Sequence, residues 1–286
     1  MLCFYFNTAV FSFKYMIFIK RILVFLFVLT LLSACSKKET KQDLTLFSRL
    51  KSGETGIAFS NNLTENDSLN YFTYAYMYMG GGAAAGDFNN DGLIDLYFTG
   101  NMVPNKLYLN KGNLKFKDIT KSAGVAGSDK WYTGVTIADV NADGYLDIYC
   151  SVGGKFGPRN NELYINNGDL TFTERAKELG VDDIGNSVQG TFFDYNLDGD
   201  LDLYVGNYPI TNFNAPNNFY YFKTKNVTDE ETDNLYRNDG SVFTKVTNEA
   251  GVRSFGLTLS VTVGDLNQDG WPDLYVSNDF STPDYF

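Results

Sequence analysis

Four copies of one nine-residue pattern constrain this chain more than any other feature. Each reads Asp-x-Asn-x-Asp-Gly-x-x-Asp, and they begin at Asp87, Asp139, Asp194 and Asp265, at spacings of 52, 55 and 71 residues. Self-similarity at such a period marks a repeat architecture, in which one supersecondary unit recurs. Each copy runs straight into a strand-like segment, such as Ile94-Asp95-Leu96-Tyr97-Phe98 or Leu146-Asp147-Ile148-Tyr149-Cys150. Period-two alternation within a nearly continuous apolar run is the pattern of a strand covered on both faces.

A second strand precedes each loop, as in Gly134-Val135-Thr136-Ile137-Ala138 and Leu257 to Val263. A third ends at an Asn/Gly turn in Leu107-Tyr108-Leu109-Asn110, Leu163-Tyr164-Ile165-Asn166 and Leu235-Tyr236-Arg237-Asn238, and a fourth follows directly. Two strands about a short Asn/Gly loop read as a hairpin. Four strands per unit give an all-β fold, a β-propeller of four-stranded blades. A sandwich or solenoid could use the same strands, but a sandwich has no reason to repeat one loop four times, and a parallel β-helix repeats in shorter units. About three and a half blades are expected, because the fourth unit stops at Phe286 before its outer hairpin, as in a fragment of a longer chain.

The loop itself is an oxygen cage. Calcium takes six to eight oxygen ligands at about 2.3 to 2.6 Å, and short side chains at alternating positions wrap such oxygens around one point. Side chains would come from Asp87, Asn89, Asp91 and Asp95; from Asp139, Asn141, Asp143 and Asp147; from Asp194, Asn196, Asp198 and Asp202; and from Asp265, Asn267, Asp269 and Asp273. The seventh residues, Leu93, Tyr145, Asp200 and Trp271, would give a backbone carbonyl, which leaves their identity free. Gly92, Gly144, Gly199 and Gly270 stand at the sharp turn. One Ca2+ per loop, about four in all, is therefore the expected cofactor. An EF-hand is excluded, since its twelfth-position Glu is replaced by Phe98, Cys150, Val205 and Val276. Four acidic turns without a metal are the plainer alternative, because Asp, Asn and Gly form turns unaided.

Composition supports a hard ion and little else. The chain has no His, which removes the commonest general base and the commonest ligand of zinc, copper and iron. Its net charge of -11 argues against a nucleic-acid partner. Aromatic residues reach 16%, a composition suited to strands.

The first 34 residues read as an export signal. Ile22 to Leu32 is apolar, follows Lys20 and Arg21, and leads into Ser33-Ala34-Cys35. It is shorter than the roughly 20 residues that span a bilayer. Leu32-Ser33-Ala34-Cys35 matches a bacterial lipobox, which makes Cys35 the expected lipidation site and the membrane a partner through that lipid. The expected location is extracytoplasmic, anchored to the outer membrane at the cell surface or on its periplasmic side. Met16 is the expected start codon, giving a basic beginning to the signal. Cleavage removes three basic residues and no acid, so the charge of -11 becomes -14. Residues 35–54 are polar and read as a tether, and residues 55–286 as the propeller. Cys150 lies inside a strand and reads as a small buried thiol, since there is no His to activate it.

With loops, strands and turns in view, the chain resembles the FG-GAP/VCBS-type repeat proteins, whose Asp-x-Asn-x-Asp-Gly-x-x-Asp loops bind calcium in propellers such as those of integrin α-subunits. Gly80-Gly81-Gly82, Leu96 to Asn101, Ala123-Gly124-Val125 and Ala250-Gly251-Val252 resemble, more narrowly, bacterial relatives of cartilage acidic protein, the group with an ASPIC/UnbV domain. That resemblance implies a non-catalytic calcium-stabilised scaffold that binds a glycan or a protein. A polysaccharide lyase is the competing class, because some calcium-rich propellers carry similar loops. It would need a Lys, Arg or Tyr cluster in a central cleft, which the sequence does not identify. The third unit alone carries an insertion, between Tyr208 and Asn234, with Phe213, Phe219, Tyr220, Tyr221 and Phe222. Those aromatics could form a binding loop or pack on one another.

Overall fold

The computed structural model describes Lys20 and residues 46–210, 215–216, 218–279 and 282–286. Cys35 and, apart from Lys20, the signal segment lie outside the described residues. The chain divides into two compact units, Met1–Arg49 and Leu50–Phe286, and the second holds the strands found among the described residues. That unit opens at Leu50 with a helical turn, Ser52–Thr55, closed by Gly56 in the left-handed region.

Among the described residues, fourteen strands build it. The first sheet contains β1 (Ala83–Gly86), β2 (Asp95–Phe98), β3 (Lys106–Asn110) and β4 (Phe116–Asp118). The second contains β5 (Trp131–Ala138), β6 (Asp147–Gly153), β7 (Glu162–Asn166) and β8 (Phe172–Glu174). The third contains β9 (Ser187–Phe193), β10 (Asp202–Asn207), β11 (Asn234–Asn238) and β12 (Phe243–Lys245). The fourth contains β13 (Thr258–Gly264) and β14 (Asp273–Asn278). Each sheet is an antiparallel meander in sequence order, the arrangement of propeller blades. The leading strands β1, β5, β9 and β13 neighbour one another in succession, and among the described residues the blades do not close into a ring.

The core lies between blades, which explains the apolar strands. Ile148, Cys150 and Val152 of β6 join Tyr97 and Leu107 of the first blade, whereas Tyr149 between them joins Leu203 and Val205 of the third. Successive residues of one strand thus serve opposite interfaces, and both must be apolar. Cys150 is fully buried, and burial holds its thiol well above the usual range, so it is no nucleophile. Blades also approach closely at Gly82, where an added Cβ would lie 2.5 Å from the backbone nitrogen of Val135 in the next blade. The Ala-Gly-Val sequences end a helical turn after the fourth strand: Gly124 adopts φ 78°, and the carbonyl of the buried Val125 accepts the Tyr97 hydroxyl.

A latch holds each blade at the end away from the aspartate loops. Asn105 Oδ1 accepts the Gly100 N–H, Asn161 Oδ1 accepts that of Val152, and Asp233 Oδ1 accepts that of Asn207. Asp233 also accepts the hydroxyls of Tyr204 and Thr258, and is wholly buried. Burial pushes its carboxyl up to about 6, with the Asp183 carboxylate adding to the rise and its donors opposing it. A carboxyl whose proton is held more tightly folded than unfolded contributes most below pH ~4 and loses that contribution as pH rises through ~6. Asn161 shows that an amide serves in the same place. Asp233→Asn is therefore expected to stabilise the protein at pH 7 by an amount on the order of 1–3 kcal/mol. The gain should shrink towards zero by pH 4 in thermal denaturation. A gain that is independent of pH would refute this.

Candidate metal centres

Each aspartate loop is the connection between the first two strands of its blade. The registers Gly86↔Asp95, Ala138↔Asp147, Phe193↔Asp202 and Gly264↔Asp273 put the ninth residue opposite the end of the preceding strand. The four copies fold alike. The first aspartate caps the turn: in the first loop Asp87 Oδ1 accepts the Asp91 N–H at 3.1 Å, and its Oδ2 that of Gly92 at 2.7 Å. Asp139, Asp194 and Asp265 do the same for Asp143, Asp198 and Asp269 and for the following glycines. The third-position amide donates to the fifth carboxylate in every copy, from Asn89 to Asp91, Asn141 to Asp143, Asn196 to Asp198 and Asn267 to Asp269. The fifth carboxylate then accepts the seventh N–H, of Leu93, Tyr145, Asp200 or Trp271, at 2.9 Å.

Two positions adopt the left-handed conformation. The sixth is the expected glycine, with φ between 82° and 97°. The fourth was not foreseen: Asn90, Ala142, Leu197 and Gln268 all have φ between 56° and 63°. Side chains there are strained, and only Asn90 is a residue type that tolerates the region well.

The ninth aspartate differs from the others. Asp95, Asp147 and Asp202 are buried, at 0%, 1% and 0% exposure, while the rest of each loop is largely exposed. One oxygen accepts the N–H of the second loop residue, Phe88, Val140 or Tyr195. The other accepts the N–H of the asparagine that ends the third strand, Asn110, Asn166 or Asn238, at 2.7 to 2.8 Å. Burial raises the pKa of all three, and that of Asp147 to about 6; the paired N–H groups oppose the rise, and the loop's other carboxylates add to it. Asp273 takes the first bond only, from Leu266, and is half-buried.

Those third-strand asparagines escape a search for ligands, although their recurrence before glycine is visible. Their side chains tie loop to blade and blade to blade. Asn166 Nδ2 donates to the carbonyl of Leu146 in its own loop and of Phe88 in the neighbouring loop. Asn238 bridges Leu201 and Val140 in the same way.

In this geometry the first, fifth and ninth carboxylates accept amide protons of their own loops and, at the ninth position of the first three loops, of the third strand as well, and among the described residues no group of three or more His, Cys, Asp or Glu forms a metal-holding cluster. The candidate donors also include Asn oxygens and carbonyls. Asn89 Oδ1 is buried without a hydrogen-bond partner, an acceptor left over in the first loop. The donor set is entirely oxygen, which suits calcium.

Beyond the recurring latches, the end of the blades away from these loops carries segments that do not repeat. Tyr74, Tyr76 and Met77 lie in a segment whose 3-10 turn, Ala75–Tyr78, packs on Trp131. Asp279 Oδ2 accepts the hydroxyls of both Tyr76 and Tyr208. Nothing periodic marks these residues in sequence. The insertion contains a helix, Asn218–Lys225, and its aromatics divide: Tyr220 is buried against Phe255, whereas Tyr221 and Phe222 are 70% and 62% exposed. Phe213 lies outside the described residues.

Residues 87–150, 152–205 and 226–276 match the FG-GAP-like repeat. The chain belongs to the FG-GAP-like repeat family. The chain is also similar to cartilage acidic protein 1 of mouse and of human, each 33% identical over 141 residues, or 48% of this chain. The protein of that name from Xenopus tropicalis is 34% identical over 124 residues. The matched stretch is less than a fifth of each relative, 19% of the mouse protein and 18% of the other two.

Asn166→Ala is expected to leave the buried Phe88 carbonyl and the part-buried Leu146 carbonyl without their donor and to cost about 1–3 kcal/mol. Denaturant unfolding measures it, and the same change at exposed Asn167 serves as the control. Equal effects at the two positions would contradict the role given to Asn166.

Proposed function

We propose that this FG-GAP repeat protein is a non-catalytic, calcium-stabilised scaffold outside the cytoplasm, which binds a glycan or a protein through the end of its blades away from the aspartate loops. The observation that carries the reading is that one set of oxygen-bearing positions takes up one hydrogen-bonded geometry four times. A side chain needed for catalysis rarely recurs in every repeat, whereas a strut must.

The residues that would hold the ions are the first, third, fifth and ninth of each loop, with the carbonyl of the seventh. When bound, Ca2+ supplies two positive charges to a loop with three or four carboxylates, Asp194, Asp198, Asp200 and Asp202 in the third. In the first three loops the ninth aspartate is buried and fixed by two N–H groups, and would offer an ordered oxygen to that position. Asn89 Oδ1 offers a further acceptor with no competing donor.

Location outside the cytoplasm is supported by the apolar run ending in Ser33-Ala34-Cys35, and lipid on Cys35 would anchor the chain to the bacterial outer membrane. Among the described residues no helix is long and apolar enough to cross a membrane. The binding end is supported by its exposed aromatics, Tyr71, Phe72, Tyr78, Phe156, Tyr221 and Phe222, carried on segments that do not repeat.

Removing calcium with a chelator is expected to lower the melting temperature by about 10 °C or more, and readdition of calcium, but not magnesium, to restore it. A melting temperature unchanged by chelation refutes the structural role of the ion.

A further inference from the structure

The non-repeating end encloses a small cavity at the leading strands of the second and third blades. Its volume is about 60 Å3, and its walls include Tyr74, Tyr76, Trp131, Tyr208, Met79 and Asn186. Two waters would fill it, at ~30 Å3 each. The aromatic rings meet at angles: Tyr74 and Trp131 edge to face with centroids 5.7 Å apart, Tyr76 and Tyr208 tilted at 4.5 Å.

Three features narrow what could occupy it. Asn186 is 7% exposed, and its amide donates to the Tyr208 carbonyl at 2.6 Å. Its Oδ1, however, is buried with no hydrogen-bond partner, an acceptor without a donor on a residue that lines the cavity. Behind the rings, Asp279 Oδ2 accepts the Tyr76 and Tyr208 hydroxyls at 2.9 and 3.0 Å. Hydrogen bonds to a carboxylate make the phenol faces more electron-rich, which strengthens their attraction for a cation. No lysine or arginine is among the residues lining the cavity.

An anion would meet ring faces and the field of Asp279. A bare hard metal ion needs six or more oxygens, which aromatic walls do not supply. An apolar group would leave Asn186 Oδ1 unpaired. A small cation carrying an N–H meets all three conditions. We propose that this cavity is a site for a protonated amine of the size of a lysine head group, held against the Tyr and Trp faces with one N–H donated to Asn186 Oδ1. The proposal deepens the reading of this end as the binding end and rests on it, but not on calcium.

Methylammonium, with two heavy atoms, is the probe. Methanol is its neutral counterpart with an equivalent donor, and tetramethylammonium is a larger cation with none. In excess calcium, the indole N–H resonance of Trp131, assigned with Trp131→Phe, is followed during titration. Methylammonium is expected to saturate with a Kd in the range of about 1–10 mM, with no saturable shift from the other two. Asn186→Asp, which puts an anion in place of the orphan acceptor, is expected to tighten methylammonium binding about tenfold. Equal responses to methylammonium and methanol, no saturation below about 100 mM, or waters alone in the cavity of crystals grown with methylammonium would each overturn the proposal. The selectivity of the unmodified protein decides the matter even if Asn186→Asp fails to fold. Binding of a glycan or protein at this end by a chain that ignores methylammonium would refute the amine site and leave the scaffold reading intact.

Discussion

Each complete blade of this protein depends on one buried carboxylate, that of the ninth loop aspartate. Asp95, Asp147 and Asp202 accept one N–H from the start of their own loop and one from the end of the third strand. A single side chain thus fixes the loop to the hairpin beyond it. The arrangement is costly in the absence of a cation, because burial raises these pKa values and the loop's other carboxylates stand close by. A cation in the loop would reverse the sign of that local electrostatics, and on the proposed reading this is why the acid is there.

The asparagine after the third strand extends the coupling from strand to blade. Asn166 and Asn238 each reach a carbonyl in the loop of the preceding blade, so the ordering of one loop bears on the next. Repeat proteins gain cooperativity from such nearest-neighbour terms. The latches at the other end, Asn105, Asn161 and Asp233, complete the frame with the same logic and a less uniform residue choice.

The loops, the strand order and the three and a half blades were legible in sequence because each is a local pattern repeated at a fixed period. The glycine at the sixth loop position was legible for the same reason. The left-handed fourth position was not, since Asn90, Ala142, Leu197 and Gln268 share no chemistry that a reader could recognise. The ligand pattern also concealed how the ninth aspartate is used, because its partners are backbone N–H groups far along the chain. Least visible was the non-repeating end: Tyr76, Tyr208 and Asp279 are separated by 132 and 71 residues and meet only through the order of the blades. In the insertion, composition alone could not divide Tyr220, which packs inward, from Tyr221 and Phe222, which do not. The chain thus has one end that is uniform and rich in carboxylate and amide oxygens, and another whose added segments are aromatic and particular to this sequence. That division is the reason for proposing the second as the binding end.

The number of calcium ions bound per chain tests the central claim most directly. After equilibrium dialysis of the folded protein against micromolar calcium, elemental analysis should find about four ions per chain, one for each loop. Loss of about one ion is expected when the first and fifth aspartates of a single loop, Asp139 and Asp143, are replaced by Asn. A folded protein that retains no calcium under those conditions would contradict the structure's reading as an ion-stapled scaffold.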